Sequence, residues 1–422
     1  YTICYMWNPI LLCQNLLKYR KGVMQMSFKK LLLQNDMKKP KIKQKNGKRI
    51  IYVNYNEKVF DAKSLEEFRK EINYIYENDI ELISNENTNI RILINTGYFK
   101  DRTVVLILEL IIYSLCLKGN FNIYINIRVE DKESIAYNFY YYSFLKEINR
   151  KQITNKKFCI MYEKFSGRIY KQEIIGANIR KIIDKSTYKD VYQQMHMQQR
   201  LSSDIMSILS LIVNNEDMID DACEIVDELI DNILSHTIGF GIVDVAAVKV
   251  ISKKDNDDYI HIMINVINIS DNFLYTNIKE TYRRNVNNFK LRSNIKDYYE
   301  AQREFFLDSN YSENMFFMVS AFQRGVSTRN RNKIGGTGLN KSIMNFSKMS
   351  QKDLPENQSY VYSNKDILMF NENILSSELI GENIAFNYEN DFSKKPDEIC
   401  LSNSTFNLNG TAYNLMYVVK EE

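Results

Sequence analysis

The stretch Glu228-Leu229-Ile230-Asp231-Asn232-Ile233-Leu234-Ser235-His236 most restricts what this chain can fold into, because Gly335-Gly336-Thr337-Gly338-Leu339 follows roughly a hundred residues later. Apolar residues at helical spacing make the first a helix, with the Glu228 carboxylate and the Asn232 amide one turn apart on a shared face. The second is a glycine cluster running straight into another helical pattern. Such a turn lets backbone N–H groups surround phosphate at a helix N-terminus. Between the two, residues 242–251 and 259–269 are β-branched runs joined by a polar turn, so the helices must share a core with strands. Only four prolines and fourteen glycines punctuate the chain, which favours long helices and strands over a turn-rich all-β fold. The predicted fold class is α/β (α+β).

A carboxylate and an amide on one helix face, followed by a phosphate cradle, is the donor set that an ATP site with Mg²⁺ needs. The two motifs in this order resemble the gyrase, chaperone, histidine-kinase and mismatch-repair ATPase superfamily, abbreviated GHKL. The resemblance covers 187–422 and implies a two-layer α/β sandwich in the order helix, helix, strand, strand, lid, glycine box, helix, strands. It gives Glu228 the role of orienting and deprotonating the nucleophile. Asn232, beside Asp231, would hold Mg²⁺ through its amide oxygen. His236 falls at the family's helix end as a packing or capping residue. Asp271 would accept a hydrogen bond from the adenine amino group, and Thr411 of the closing Asn409-Gly410-Thr411 strand would lie near it. Gly335, Gly336, Thr337, Gly338 and Leu339 would form the second glycine box. They follow Phe322-Gln323-Arg324-Gly325-Val326-Ser327-Thr328, which is similar to the family's Phe-x-x-Gly-x-Ser-Thr.

A basic stretch that includes Lys279, Arg283 and Arg284 occupies the lid position. Arg324, Arg329 and Lys333 are its cations expected to reach phosphate. The chain departs from the family at the adenine turn. Where Asp-x-Gly-x-Gly is expected it has Asp271-Asn272-Phe273-Leu274-Tyr275, and aromatic residues adopt positive φ only at a cost. Three outcomes stay open: a rebuilt turn, a differently seated adenine, or weakened nucleotide binding.

Upstream, strands predicted at 50–55, 89–95 and 121–128 alternate with helices at 65–76, 101–117 and 132–145. Ser64 would cap the first helix, with Glu67 completing a capping box. This alternation argues for a small α/β layer domain over 50–150. Its topology is similar to the STAS (anti-anti-sigma) module, in which the loop after the central strand carries a phosphorylatable serine; Thr103 is the imperfect counterpart. Residues 151–186 read as a connector with a short strand at 158–162. Residues 187–214 read as a helix with a core-facing stripe of Val191, Met195, Leu201, Ile205, Ile208 and Leu211. Residues 26–49, rich in lysine, read as a solvated flexible arm. Residues 1–17 are apolar but interrupted by Asn8, Pro9 and Gln14, too short and too broken for a membrane span and without the basic opening of a signal peptide. Lys21-Gly22-Val23 can be encoded by a purine-rich run like a ribosome-binding site. Residues 1–25 are therefore expected to be translated leader, with the native start at Met24 or Met26.

The net charge of +4 comes from 56 basic and 52 acidic side chains, a near balance that gives no whole-surface attraction to nucleic acid. The six cysteines form no CxxC and the three histidines no ligand pattern, as expected of reduced thiols in a cytoplasmic protein. Heavy use of Asn, Ile, Lys and Tyr, all with A/T-rich codons, points to a low-GC bacterial genome. The expected function is a Mg-ATP-dependent protein kinase or switch of anti-sigma-factor type. It would act on a protein partner, a regulator or phosphoacceptor, with a homodimer possible and no membrane involved. Alternatives are a sensor histidine kinase with His196 as phosphoacceptor, a conformational ATPase, and a degenerate nucleotide-binding module.

Overall fold

The computed structural model describes residues 36–78, 88–118, 122–129, 158–162, 176–185, 188, 190–235, 240–251, 257–284, 295–308, 310–323, 326, 339–340, 342–344, 359–371, 373–375 and 384–420. The chain forms two units, 1–172 and 173–422. One holds a mixed sheet and the other an antiparallel sheet, each with helices, so the fold is α/β in the broad sense.

In the first unit, Asn46 and Gly47 both take positive φ (52° and 71°), the two-residue turn that matches the twist of a hairpin. They join β1 (Lys41–Lys45) to β2 (Lys48–Phe60) in antiparallel register. The basic arm expected over 26–49 is thus an edge strand from Lys41 onward. Its lysines are the kind of charge that keeps an edge from pairing with other chains. β3 (Thr88–Phe99), β4 (Asn122–Val129) and β5 (Phe158–Tyr162) follow in parallel, giving the order β1-β2-β3-β4-β5. The strand at 158–162 therefore completes this sheet and is not part of a connector.

Two crossover helices join these strands, α1 (Ala62–Glu77) and α2 (Arg102–Lys118). Right-handed crossovers in one direction place both on the same face, where α1 packs on α2 and β2, and α2 on β3. Ile51, Val53, Ile90, Ile92, Ile94, Ile123, Ile125 and Ile127 form the floor beneath them.

Helix α1 is capped by Asp61 rather than Ser64. The Asp61 carboxylate accepts from the N–H groups of Lys63 (3.0 Å) and Ser64 (3.1 Å), while Glu67 pairs with Lys38 at 2.9 Å instead of closing a box. Asp101 plays the same part at α2, accepting from Val104 N–H at 2.9 Å. Thr103, the counterpart named from the STAS resemblance, sits in that first turn and is 1% exposed. The helix expected at 132–145 lies outside the described residues.

In the second unit, β6 (Gly176–Asp184) leads to α3 (Val191–Leu209), α4 (Glu216–Ser235), β7 (Phe240–Ile251) and β8 (Asp258–Ile269). Three short helices follow, α5 (Thr276–Arg283), α6 (Ile295–Gln302) and α7 (Glu313–Ser320), then β9 (Tyr360–Met369) and β10 (Leu401–Lys420). The sheet order is β6-β7-β8-β10-β9 with every neighbour antiparallel. Alternate residues such as Val243, Val245, Ile262, Ile264, Leu415 and Tyr417 join one hydrophobic cluster with α3 and α4, as a half-covered strand period requires. β6 had been read as connector. It is fixed by long-range pairing, with Arg180 Nε 2.8 Å from the fully buried Asp244 of β7 and Asn178 donating to the same oxygen at 2.9 Å.

The core stripe of α3 differs from expectation. Met197, Leu201, Ile205 and Leu209, each four residues apart, face the sheet, whereas Val191 (66% exposed), Met195 (51%) and Leu211 (72%) do not. The expected lid is also partly core. Tyr282, Tyr299, Phe306, Phe316 and Phe317 form a network with ring centroids 4.7–5.8 Å apart, and Phe316 and Phe317 are fully buried. Among the described residues, no helix is long and apolar enough to cross a membrane.

Candidate functional site

Helix α4 buries Ile219, Ala222, Ile225, Val226, Leu229, Ile230 and Ile233 against the sheet. Its other face then carries Glu224, Asp227, Glu228 and Asp231 at i, i+3, i+4 and i+7, the spacing of a single helix side. These four carboxylates line a groove of about 570 Å³ together with Val191, Met195 and Gln198 of α3, and Ser342 from the segment just after the glycine cluster. The groove is thus where α4 meets the helix that the cluster leads into.

Within it, Gln198 Nε2 donates to the Asp227 carbonyl at 3.0 Å and Ser202 Oγ hydrogen-bonds the Asp227 carboxylate, tying α3 to α4. Burial pushes the Asp227 carboxyl above its usual range, the Ser202 bond pulls it back, and the Glu224 charge adds to the rise. Neither Glu224 nor Asp227 had been singled out in the sequence, although their spacing from Glu228 was there to read.

The charge of Glu228 is also felt at the sheet. Burial and the Glu228 charge together push the Tyr413 phenol of β10 well above its ordinary value. Thr411 lies two residues earlier, on the same face of β10. Asn232, one turn beyond Glu228, is half-buried and is not part of the groove lining.

The end of β8 pairs with the stretch of β10 that holds Thr411, which stands in register with Asn268. Gly410 is in register with Ile269, and Ser270 N–H donates to the Asn409 carbonyl at 3.1 Å. Ser363 Oγ of β9 accepts from Leu274 N–H at 3.1 Å and lies 2.9 Å from Thr411 Oγ1. One hydroxyl therefore ties the turn after Asp271 to Thr411. No local signal in the sequence marked Ser363. Asp271 itself is exposed.

The segment 271–275 forms its turn without positive φ. None of these residues is among those with positive φ. Instead, Asn272 N–H donates to Ser270 Oγ at 3.0 Å, Phe273 N–H to Thr276 Oγ1 at 3.1 Å, and α5 starts at once. The Phe273 and Tyr275 rings stack on each other (5.5 Å, 25°) and pack into the core cluster. The Tyr275 hydroxyl takes a hydrogen bond from Asn364 at 3.3 Å. Burial pushes Tyr275 up to about 12, and burial raises the neighbouring Asp366 carboxyl to about 6, with Lys279 opposing the rise.

Of the lid cations, Lys279 and Arg283 are held by Glu313 at 2.7 and 2.9 Å, and Arg284 by Glu280 at 3.2 Å. All three are paired within the helical layer. Arg324, Arg329, Lys333, Gly335, Gly336, Thr337, Gly338 and His236 lie outside the described residues. Leu339 packs against the core cluster, and Asn340 Nδ2 donates to the Phe322 carbonyl at 3.0 Å. Gln323 in turn exchanges two hydrogen bonds with the backbone of Ile384, at 2.7 and 2.9 Å. The Phe322-Gln323 motif and the start of the post-glycine helix are therefore one packed assembly. Among the described residues, no group of three or more His, Cys, Asp or Glu side chains is arranged to hold a metal ion. No protein-family model, no curated protein and no solved structure matches this chain.

Proposed function

We propose that the second unit binds Mg-ATP in the manner of the GHKL superfamily, and that the chain is a cytoplasmic ATP-dependent kinase or switch acting on a protein partner. The observation that carries this reading is the tie between the Asp271 turn and Thr411 through Ser363, on a sheet whose helix layer presents Glu228. The order of elements, two helices, two strands, a helical insertion, the post-glycine helix and two strands, supports it as well. The turn leaves Asp271 exposed at the end of β8 while the Phe273 and Tyr275 rings pack into the core, which fits an adenine amino group.

Bound Mg-ATP would supply the transferable phosphoryl group. The residues of the chain would do the rest. Asp271 and Thr411 orient the base. Asn232 offers its amide oxygen as a metal ligand, enough for an ion that shares its shell with phosphates and water. Glu228 orients the attacking hydroxyl and takes its proton. Gly335–Leu339 would cradle phosphate at a helix N-terminus, with Arg324 and Lys333 offsetting its charge. The buried reduced thiols Cys223 and Cys400 are consistent with the cytoplasm.

Asp271→Ala tests the adenine assignment. It is expected to weaken ATP by roughly ten- to a hundredfold, the cost of losing one partner of a charged hydrogen bond, while leaving pyrophosphate binding unchanged. Gly336→Val should weaken both ligands, because a side chain blocks the backbone cradle. A neutral Asp271→Ala alongside a damaging Gly336→Val would replace adenine recognition with binding of some other phosphorylated ligand. Neutrality of both would remove the nucleotide reading.

A further inference from the structure

The sheet of the first unit has a second face. Register places Lys41, Tyr52, Arg91 and Tyr124 side by side in one row across β1 to β4. At strand spacings of about 4.8 Å, the two tyrosines stand roughly 10 Å apart with Arg91 between them. Lys43 occupies the neighbouring row, its Nζ 5.6 Å from the Tyr52 ring centroid, and Lys45 and Lys48 lie beyond it. Arg128 closes the opposite corner, in register with Asn95 and Asn56. This face therefore carries Lys41, Lys43, Lys45, Lys48, Arg91 and Arg128, while Glu57, the acidic residue among the described positions of β1–β4, pairs with Thr96 on the opposite alternation.

Both described helices pack on the other side. On this side Arg91, Asn54 and Asn56 are exposed, while Tyr52 and Tyr124 are half-buried. A whole-chain charge of only +4 hides this one-sided concentration.

We propose that this face, over which no described helix packs, binds single-stranded nucleic acid. Cations and aromatic rings interleaved on a pleated surface are the two components such binding needs. The cations track the phosphates, and the ring faces accept unpaired bases whatever their sequence. Lys41, Lys43, Lys48 and Arg91 take the phosphates, Tyr52 and Tyr124 each stack one base, and the exposed amides of Asn54 and Asn56 contact base edges. A duplex hides its base faces and offers the tyrosines nothing. An acidic peptide would use the lysines but not the paired rings. The site lies wholly in the first unit and does not depend on the nucleotide reading of the second.

The test is fluorescence anisotropy of the full chain with fluorescein-labelled oligo(U) and oligo(dT) of about 12 nucleotides, within the range of site sizes for such surfaces, against a duplex of the same length. Both single strands are expected to bind and the duplex to bind at least tenfold more weakly. With about four phosphates neutralised, raising salt from about 50 to about 200 mM should weaken binding by roughly 50-fold. Arg91→Glu is at an exposed position and should not disturb folding; it is expected to weaken binding at least tenfold. Tyr52→Leu and Tyr124→Leu keep apolar bulk in the strands and remove the stacking face, and each should weaken binding by roughly five- to a hundredfold. Thermal melting checks that all three remain folded. Absence of binding to either single strand would overturn the proposal. So would duplex binding of equal strength, or single-strand binding indifferent to Arg91→Glu and to both tyrosine variants. If only one of oligo(U) and oligo(dT) binds, the proposal stands and the sugar chemistry is identified.

Discussion

Gly410→Ala is expected to destabilise the second unit by more than about 3 kcal/mol, a large share of the roughly 5–15 kcal/mol that holds a domain together. Gly410 has φ +147°, and a Cβ built there would stand 1.9 Å from the Asn268 carbonyl oxygen and 3.0 Å from the Ile269 Cα. Both obstacles are backbone in the neighbouring strand, so no side-chain rotation relieves them. The strand itself would have to move. That strand ends at the Asp271 turn, so the damage falls on the tie between the Asp271 turn and Thr411. In thermal unfolding the loss corresponds to about 10 °C for a unit of this size. A melting temperature within about 1 °C of the parent would mean that the close approach of β10 to β8 does not exist.

The second large effect is kinetic. Glu228→Ala is expected to leave Mg-ATP affinity within about twofold while lowering phosphoryl transfer or hydrolysis by roughly 10²–10⁴-fold, the usual contribution of a positioned general base. The split follows from position. Glu228 lines the groove open to a nucleophile, and a group that acts on the nucleophile contributes in the transition state rather than to ground-state binding. Single-turnover transfer from labelled ATP, compared with equilibrium binding, separates the two. Equal losses in both would make Glu228 a binding residue. No loss in either would leave α4 as a packing helix whose acidic face is merely solvated.

The parts of the fold that were readable in the sequence are those that local physics decides. Helix α4 announced itself by apolar spacing, and it runs from Glu216 to Ser235. β7 and β8 were visible as β-branched runs, because a strand covered on one or both faces must be built of them. What escaped was decided at long range or by a short signal. β6 owes its place to Arg180 and Asp244, which are far apart in sequence. The hairpin turn at Asn46-Gly47 was legible but was outweighed by the lysines around it.

The stripe of α3 was mis-phased at its ends. Val191 and Met195 keep helical spacing, yet they lie at the groove instead of in the core. At the candidate site, Glu228, Asp271 and Thr411 were named through the resemblance. Ser363, which ties Leu274 of the turn after Asp271 to Thr411, could not be found, since a serine in a strand has no pattern of its own. The turn at Phe273 and Tyr275 was likewise invisible. Its stability comes from ring packing and side-chain hydrogen bonds with Ser270, Thr276 and Ser363 rather than from backbone conformation.

The most direct test of the central claim is calorimetric titration of the full chain with ATP, in the presence of Mg²⁺ and then of a chelator, repeated with Asn232→Ala. The parent should bind ATP, bind it more weakly when Mg²⁺ is removed, and lose that Mg²⁺ dependence when the Asn232 amide is gone. A folded parent chain that takes up no ATP with Mg²⁺ present would contradict the account, whatever the variants do.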